Sequence, residues 1–193
     1  MRKTIIKTAL ITLGAILTVF IVTFTIVSLC APKAMLKLTS GLGMDNLALT
    51  YSEQQYKNSE TLSDLEDLLY RANELGRDDL TVKYSPIMIN SSEFESFSNS
   101  RTTVGVIEYK SYIIGNYLIA LYNESESKQV VIEKASEYFT AFYSGYELYN
   151  PYNVLVINAK SFSTEFRQSL KTHLTGITVS SGNELLQRDI NAI

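Results

Sequence analysis

Ala9–Cys30 reads ALITLGAILTVFIVTFTIVSLC, and Arg2, Lys3 and Lys7 precede it. No charged residue occurs between positions 8 and 32. A helix rises about 1.5 Å per residue, so about 20 apolar residues cover a hydrocarbon core about 30 Å thick. The run meets that length. A helix in a soluble core carries a polar stripe, and here charge interrupts no face. Thr8, Thr12, Thr18, Thr23 and Thr25 are compatible with lipid, because a threonine hydroxyl can bond to a preceding carbonyl of its own helix. The stretch is therefore expected to be one transmembrane helix over residues 8–30, with residues 1–7 as a cytoplasmic tail.

Two other fates compete with an uncleaved anchor. A cleaved signal peptide has an apolar region of about 7–15 residues ending in a small-x-small site. The run is longer than that, and Ser28-Leu29-Cys30 is a mediocre site. Val27-Ser28-Leu29-Cys30 is similar to a bacterial lipobox, which would imply a lipid on Cys30 of an exported lipoprotein. Leu29 departs from that pattern, standing where a small residue precedes the modified cysteine. Orientation follows flanking charge. Arg2, Lys3, Lys7 and the α-amino group outweigh Lys33 and Lys37, so the remaining chain is expected outside the cytoplasm, on a single-pass protein of the cell membrane.

Beyond residue 30 lie about 160 residues, enough for one domain with a core. That part carries all 20 acidic residues and 14 of the 17 basic ones, a formal charge of −6. Such a balance argues against nucleic acid, which requires a basic face. It also suits the domain poorly for lying flat on an anionic bilayer. Cys30 is the single cysteine, so no disulfide framework exists. His173 is the single histidine, and tryptophan is absent.

Residues 31–44 read as a juxtamembrane connection, and 45–193 as a helical domain. Leu62, Leu65, Leu68/Leu69, Ala72 and Leu75 form one amphipathic stripe. Thr61, or Ser63 with Glu66, marks its start as a capping box, and Gly76 marks its end. A preceding helix over about 45–56 places Leu47, Tyr51 and Gln55 along one face. Ile113, Tyr117, Ala120 and Leu121 line a further helix, paired across the turn 123–127 with a helix over 128–143. Helices are also expected over 79–89, from about Asn153 (where the short β-branched run Asn153–Asn158 competes as a strand), over 163–174 and over 184–193. Asn90–Arg101 reads as a serine-rich loop, and Gly176 as a break.

The units Leu47–Leu75 and Tyr112–Phe142 are each helix, short polar turn, helix. In the first, Leu47, Ala48 and Tyr51 precede Leu65, Leu69 and Ala72; in the second, Tyr117 and Ala120 precede Ala135 and Phe139. They resemble tetratricopeptide-like repeats, a likeness covering about 70 residues. It implies an all-α, solenoid-like stack of antiparallel helical hairpins whose concave face binds a peptide or protein.

Chemistry is thin. His173 has no cysteine or second histidine to join it, and no Gly-x-Ser-x-Gly elbow supplies a nucleophile. Asp64, Glu66 and Asp67 sit in the first turn of a helix, where negative charge complements the dipole. Glu124, Glu126, Glu133 and Glu137 form no calcium loop, and Gly41-Leu42-Gly43 lacks the rest of a dinucleotide fingerprint. No catalytic, cofactor or metal site is expected.

Tyrosine is the unusual feature, all 13 falling between Tyr51 and Tyr152. Helix packing explains them in one way, since tyrosine fills space and keeps a polar tip. A binding surface is the sharper reading, and it would use Tyr112, Tyr117, Tyr122, Tyr138, Tyr143, Tyr146, Tyr149 and Tyr152. The expected function is a membrane-tethered helical scaffold for a protein or peptide partner, with an accessory subunit of a larger envelope complex as the alternative.

Overall fold

The computed structural model describes residues 2–101, 108–143, 150–181, 188, 190, 191 and 193. Among them every regular element is helical. The helices are α1 (Arg2–Cys30), α2 (Pro32–Gly41), α3 (Asp45–Ser59), α4 (Leu62–Glu74), α5 (Asp78–Ile89), α6 (Phe94–Asn99), α7 (Tyr109–Glu124), α8 (Gln129–Phe142), α9 (Pro151–Ile157) and α10 (Thr164–Ser181). A 3-10 turn, Ala159–Ser161, follows α9. The chain forms two compact units, Met1–Arg71 and Ala72–Ile193.

In the first unit α1 is long and apolar enough from Ile6 to Cys30 to cross a membrane. Its described large apolar side chains are all exposed, and its last turn meets other helices. There Tyr51 Oη and Ser28 Oγ lie 3.0 Å apart, and Gln54 Nε2 reaches the Leu29 carbonyl at 3.5 Å. Residues 31–44, expected to be a connection, instead hold α2. Pro32 opens it, where the missing N–H has no intrahelical partner to lose. Pro32, Met35 and Thr39 face α3, which buries Ala48, Leu49, Tyr51 and Ser52 in return.

The α3–α4 connection is shorter than the sequence suggests. Glu60 takes the left-handed conformation, φ 53°, and the next residue already caps α4. That cap is Thr61 with Asp64, not Ser63 with Glu66: Thr61 Oγ1 accepts from the Asp64 N–H at 3.3 Å and donates to its carboxylate at 3.1 Å. Asp64 also accepts from Gln55 Nε2, and Asp67 accepts from Ser52 Oγ and Arg71 Nε. These carboxylates hold α3 to α4, and the hydrogen bonds, Ser59's first, keep the Asp64 pKa below its ordinary value. Leu65, Leu68, Leu69 and Ala72 are buried, as their spacing requires, and Gly76, φ 62°, ends the helix. The Arg77 N–H closes that end on the Ala72 carbonyl at 2.8 Å.

The second unit is built on α7. Its buried residues include Tyr109, Ser111, Ile113, Ile114, Gly115, Tyr117 and Leu118, which together cover well over half of the helix circumference. A buried face that wide belongs to a central helix, and α5, α6, α8 and α9 all pack on it. Asn90–Arg101 is not a plain loop. It contains α6, whose Phe94 is wholly buried against Phe142 with ring centroids 5.5 Å apart. Asn150 caps α9, its Oδ1 accepting from the Tyr152 and Asn153 N–H groups, with Pro151 in the first turn. The helical reading from Asn153 therefore holds, with the start two residues earlier. Gly176 does not break α10, which runs on to Ser181. A glycine inside a helix costs about 1 kcal/mol relative to alanine, too little to end it alone. The helix expected over 184–193 lies largely outside the described residues.

One close approach fixes α7 against α9. A Cβ on Gly115 would stand 2.8 Å from Val154 Cγ1 and 3.1 Å from its Cγ2. Gly115→Ala gains about 1 kcal/mol of helix propensity but meets an overpacking cost of about 1–3 kcal/mol. Net destabilisation is expected in chemical unfolding. Val154→Ala in the same chain should recover part of the loss, giving a coupling term in the double-mutant cycle.

Candidate partner surface

The tyrosines divide by burial. Tyr117, Tyr138, Tyr143 and Tyr152 are in the core. Tyr112 and Tyr122 are half-buried, and Tyr146 and Tyr149 lie outside the described residues. The Tyr117 and Tyr138 rings meet at 5.9 Å across α7 and α8, and Tyr143 Oη lies 2.7 Å from Ser111 Oγ. Burial raises the phenol pKa of Tyr117, Tyr138 and Tyr152. The Tyr122 ring packs at a tilt on Phe162 and Phe166, with centroids 4.4 and 5.0 Å away, and its hydroxyl accepts from the Ser163 N–H at 2.7 Å. Lys128 lies over the Tyr122 ring, and its ammonium donates to the Tyr122 and Ser125 carbonyls at the end of α7. A cation there offsets the negative helix terminus. Packing therefore accounts for most of the tyrosine set. Among the described tyrosines of that set, Tyr112 and Tyr122 keep accessible surface. Tyr112 lies beside Tyr109, which meets Phe97 beneath the Arg101 guanidinium.

His173 has a structural partner. Its Nε2 lies 3.1 Å from Tyr152 Oη, and the Ser136 hydroxyl also bonds that phenol. The contact ties α8, α9 and α10. Desolvation lowers the His173 pKa below 6.5, so the fold favours the neutral ring. The unfolded chain then takes up the proton more readily than the folded one. This contribution is complete above the unfolded value of 6.5 and is lost as pH falls through the lower folded value. Thermal unfolding of the full chain should show a falling midpoint below about pH 6.5, and His173→Gln should flatten that portion. A separate acid loss belongs to Asp64 and Asp79, whose pKa values are held below 3.8, the latter by Arg77.

No three His, Cys, Asp or Glu side chains converge among the described residues. A second accessible feature lies in the first unit, where sequence reasoning expected only a connection. Leu38, Leu42, Met44 and Leu47 are exposed around the α2–α3 turn, with Lys33 and Lys37 exposed on α2. The signal was present as a Leu38/Leu42 pair one helical turn apart, but it is legible only once α2 is known to be a helix. Neither a family model, nor a curated protein, nor a solved structure matches this chain.

Proposed function

We propose that the protein is a single-pass membrane-tethered helical module whose second unit engages a protein or peptide outside the cytoplasm. The observation that carries the reading is α1: from Leu10 to Leu29 its large apolar side chains stand exposed. Continuous apolar surface of this kind marks a membrane or a protein interface. Thr18 and Thr25 donate to the Gly14 and Ile21 carbonyls of their own helix, so these hydroxyls are satisfied without a partner helix. That supports an anchor over a polar packing surface for a second subunit. The helical-hairpin reading, including its likeness to tetratricopeptide-like repeats, is supported best by α7 and α8, which bury Ala120, Ala135, Tyr117 and Tyr138. The partner surface in this proposal is the accessible edge at Tyr112 and Tyr122. No enzymatic activity is part of it.

A photo-crosslinking side chain placed at each position of the full chain, in its native membrane, tests this. A discrete adduct at Tyr112 or Tyr122, with none at buried Tyr117, is the expected result. Adducts confined to Ile16 and neighbouring α1 positions would replace the module by a membrane-complex subunit.

A further inference from the structure

The turn between α2 and α3 combines features that point to a lipid surface. Leu38 is 51% exposed, Leu42 65%, Met44 50% and Leu47 36%. Ala34, Leu38 and Leu42 recur at four-residue spacing, so they form a stripe along α2 beside the face that Pro32, Met35 and Thr39 bury on α3. Lys33 and Lys37 border the stripe on its other side. The chain's first acidic residue is Asp45, so the whole of α2 and its turn carries lysine charge alone. This inverts the acidic balance of the rest of the protein beyond α1.

Position along the chain adds to composition. One residue, Ala31, separates the end of α1 from the start of α2. At about 1.5 Å per residue the 25 residues Ile6–Cys30 more than cover a hydrocarbon core of about 30 Å. Pro32 therefore stands at headgroup depth when α1 spans. α3 touches the last turn of α1 through Tyr51 and Gln54 and does not run alongside it. Its continuation, Lys57 to Glu60, is polar and cannot enter hydrocarbon. On the other side of that contact the chain leads back to Met44, seven residues from Tyr51 and so about 10 Å away.

We infer that the α2–α3 turn is a membrane-interface foot, in which Leu38, Leu42, Met44 and Leu47 enter the headgroup–acyl boundary while Lys33 and Lys37 meet anionic headgroups. Leucine and methionine on such a face gain by leaving water, and lysine stems reach back to the polar layer. The foot sets the orientation of the first unit on the bilayer; α1 alone would leave it free to turn. The inference rests on the proposed membrane span.

The sequence has no tryptophan, so single tryptophans report cleanly. Full-length Ile16→Trp, Leu42→Trp and Ile157→Trp chains are reconstituted in phosphatidylcholine–phosphatidylglycerol vesicles with brominated acyl chains. Strong quenching at position 16, quenching at least half as large at 42, and none at 157 are expected. Adding Leu38→Glu to Leu42→Trp should lower the quenching at 42 several-fold. If position 16 is quenched but 42 is not, the foot is wrong and the span stands; blue-shifted emission at 42 without lipid quenching assigns the turn to a protein contact. Quenching at 42 that survives Leu38→Glu belongs to the introduced indole and also overturns the foot. Absence of quenching at 16 removes the span itself.

Discussion

Phe94→Ala is expected to lower stability by about 3–5 kcal/mol, the usual cost of removing a buried aromatic ring. That is a large share of the roughly 5–15 kcal/mol that holds a domain folded. At about 2–4 °C per kcal/mol, the thermal midpoint should fall by on the order of 10 °C. Phe94 is wholly buried, edge-on to Phe142, and α6 packs on α7. Its loss therefore leaves a void beside the central helix. Phe97→Ala, on the half-buried side of the same short helix, should cost less, removing the contact with Tyr109 and the Arg101 guanidinium. Near-ultraviolet circular dichroism of the full chain in detergent measures both. A Phe94→Ala effect within about 0.5 kcal/mol, as for an ordinary surface loop, would mean that α6 does not contribute to the core.

The second large effect belongs to α1. Ile16→Asp with Phe20→Asp places two carboxylates near the middle of the apolar run, on one face of the helix. On insertion scales each costs about 2.5–3.5 kcal/mol at the helix centre, while a Leu, Ile, Val or Phe there gains about 0.3–0.6. Two aspartates thus cancel the contribution of on the order of ten apolar residues. The doubly substituted chain should move from carbonate-resistant membranes into the soluble or degraded fraction. Ile16→Leu with Phe20→Leu should leave it in place. Retention of the aspartate variant would mean that something other than α1 holds the chain to the membrane.

How far the sequence could be read depended on how each helix buries its residues. α4 was legible because Leu65, Leu68, Leu69 and Ala72 form one stripe and Gly76 closes it. α7 was legible only in part. Its buried face is wide, so a narrow-stripe reading finds Ile113, Tyr117, Ala120 and Leu121 and passes over Ile114 and Leu118 at the edge. α2 was hidden because its buried face is Pro32, Met35 and Thr39, while its leucine at position 38 faces outward. α6 was hidden by length and composition. Six residues with serine and asparagine resemble a turn, since those side chains compete for backbone hydrogen bonds. In the structure Ser98 does bond a backbone carbonyl, that of Phe94, but inside the helix.

The candidate surface was legible as composition but not as placement. Tyrosine spacing on α7 and α8 is compatible with either a groove or a core, because the ring is apolar and the hydroxyl needs one partner. Burial decides it: Tyr143 finds Ser111, Tyr152 finds His173 and Tyr122 finds the Ser163 backbone. His173, read as an isolated helix residue, proves to be part of that internal hydrogen bonding. None of these pairings has a sequence signature, since each joins residues more than twenty positions apart.

Whether α1 remains as an anchor is decided by the intact mass of the protein extracted by detergent from carbonate-washed membranes. An uncleaved span leaves a 21.7 kDa chain with no added group. A chain starting after Cys30, or one whose mass carries a lipid on Cys30, would contradict the anchor.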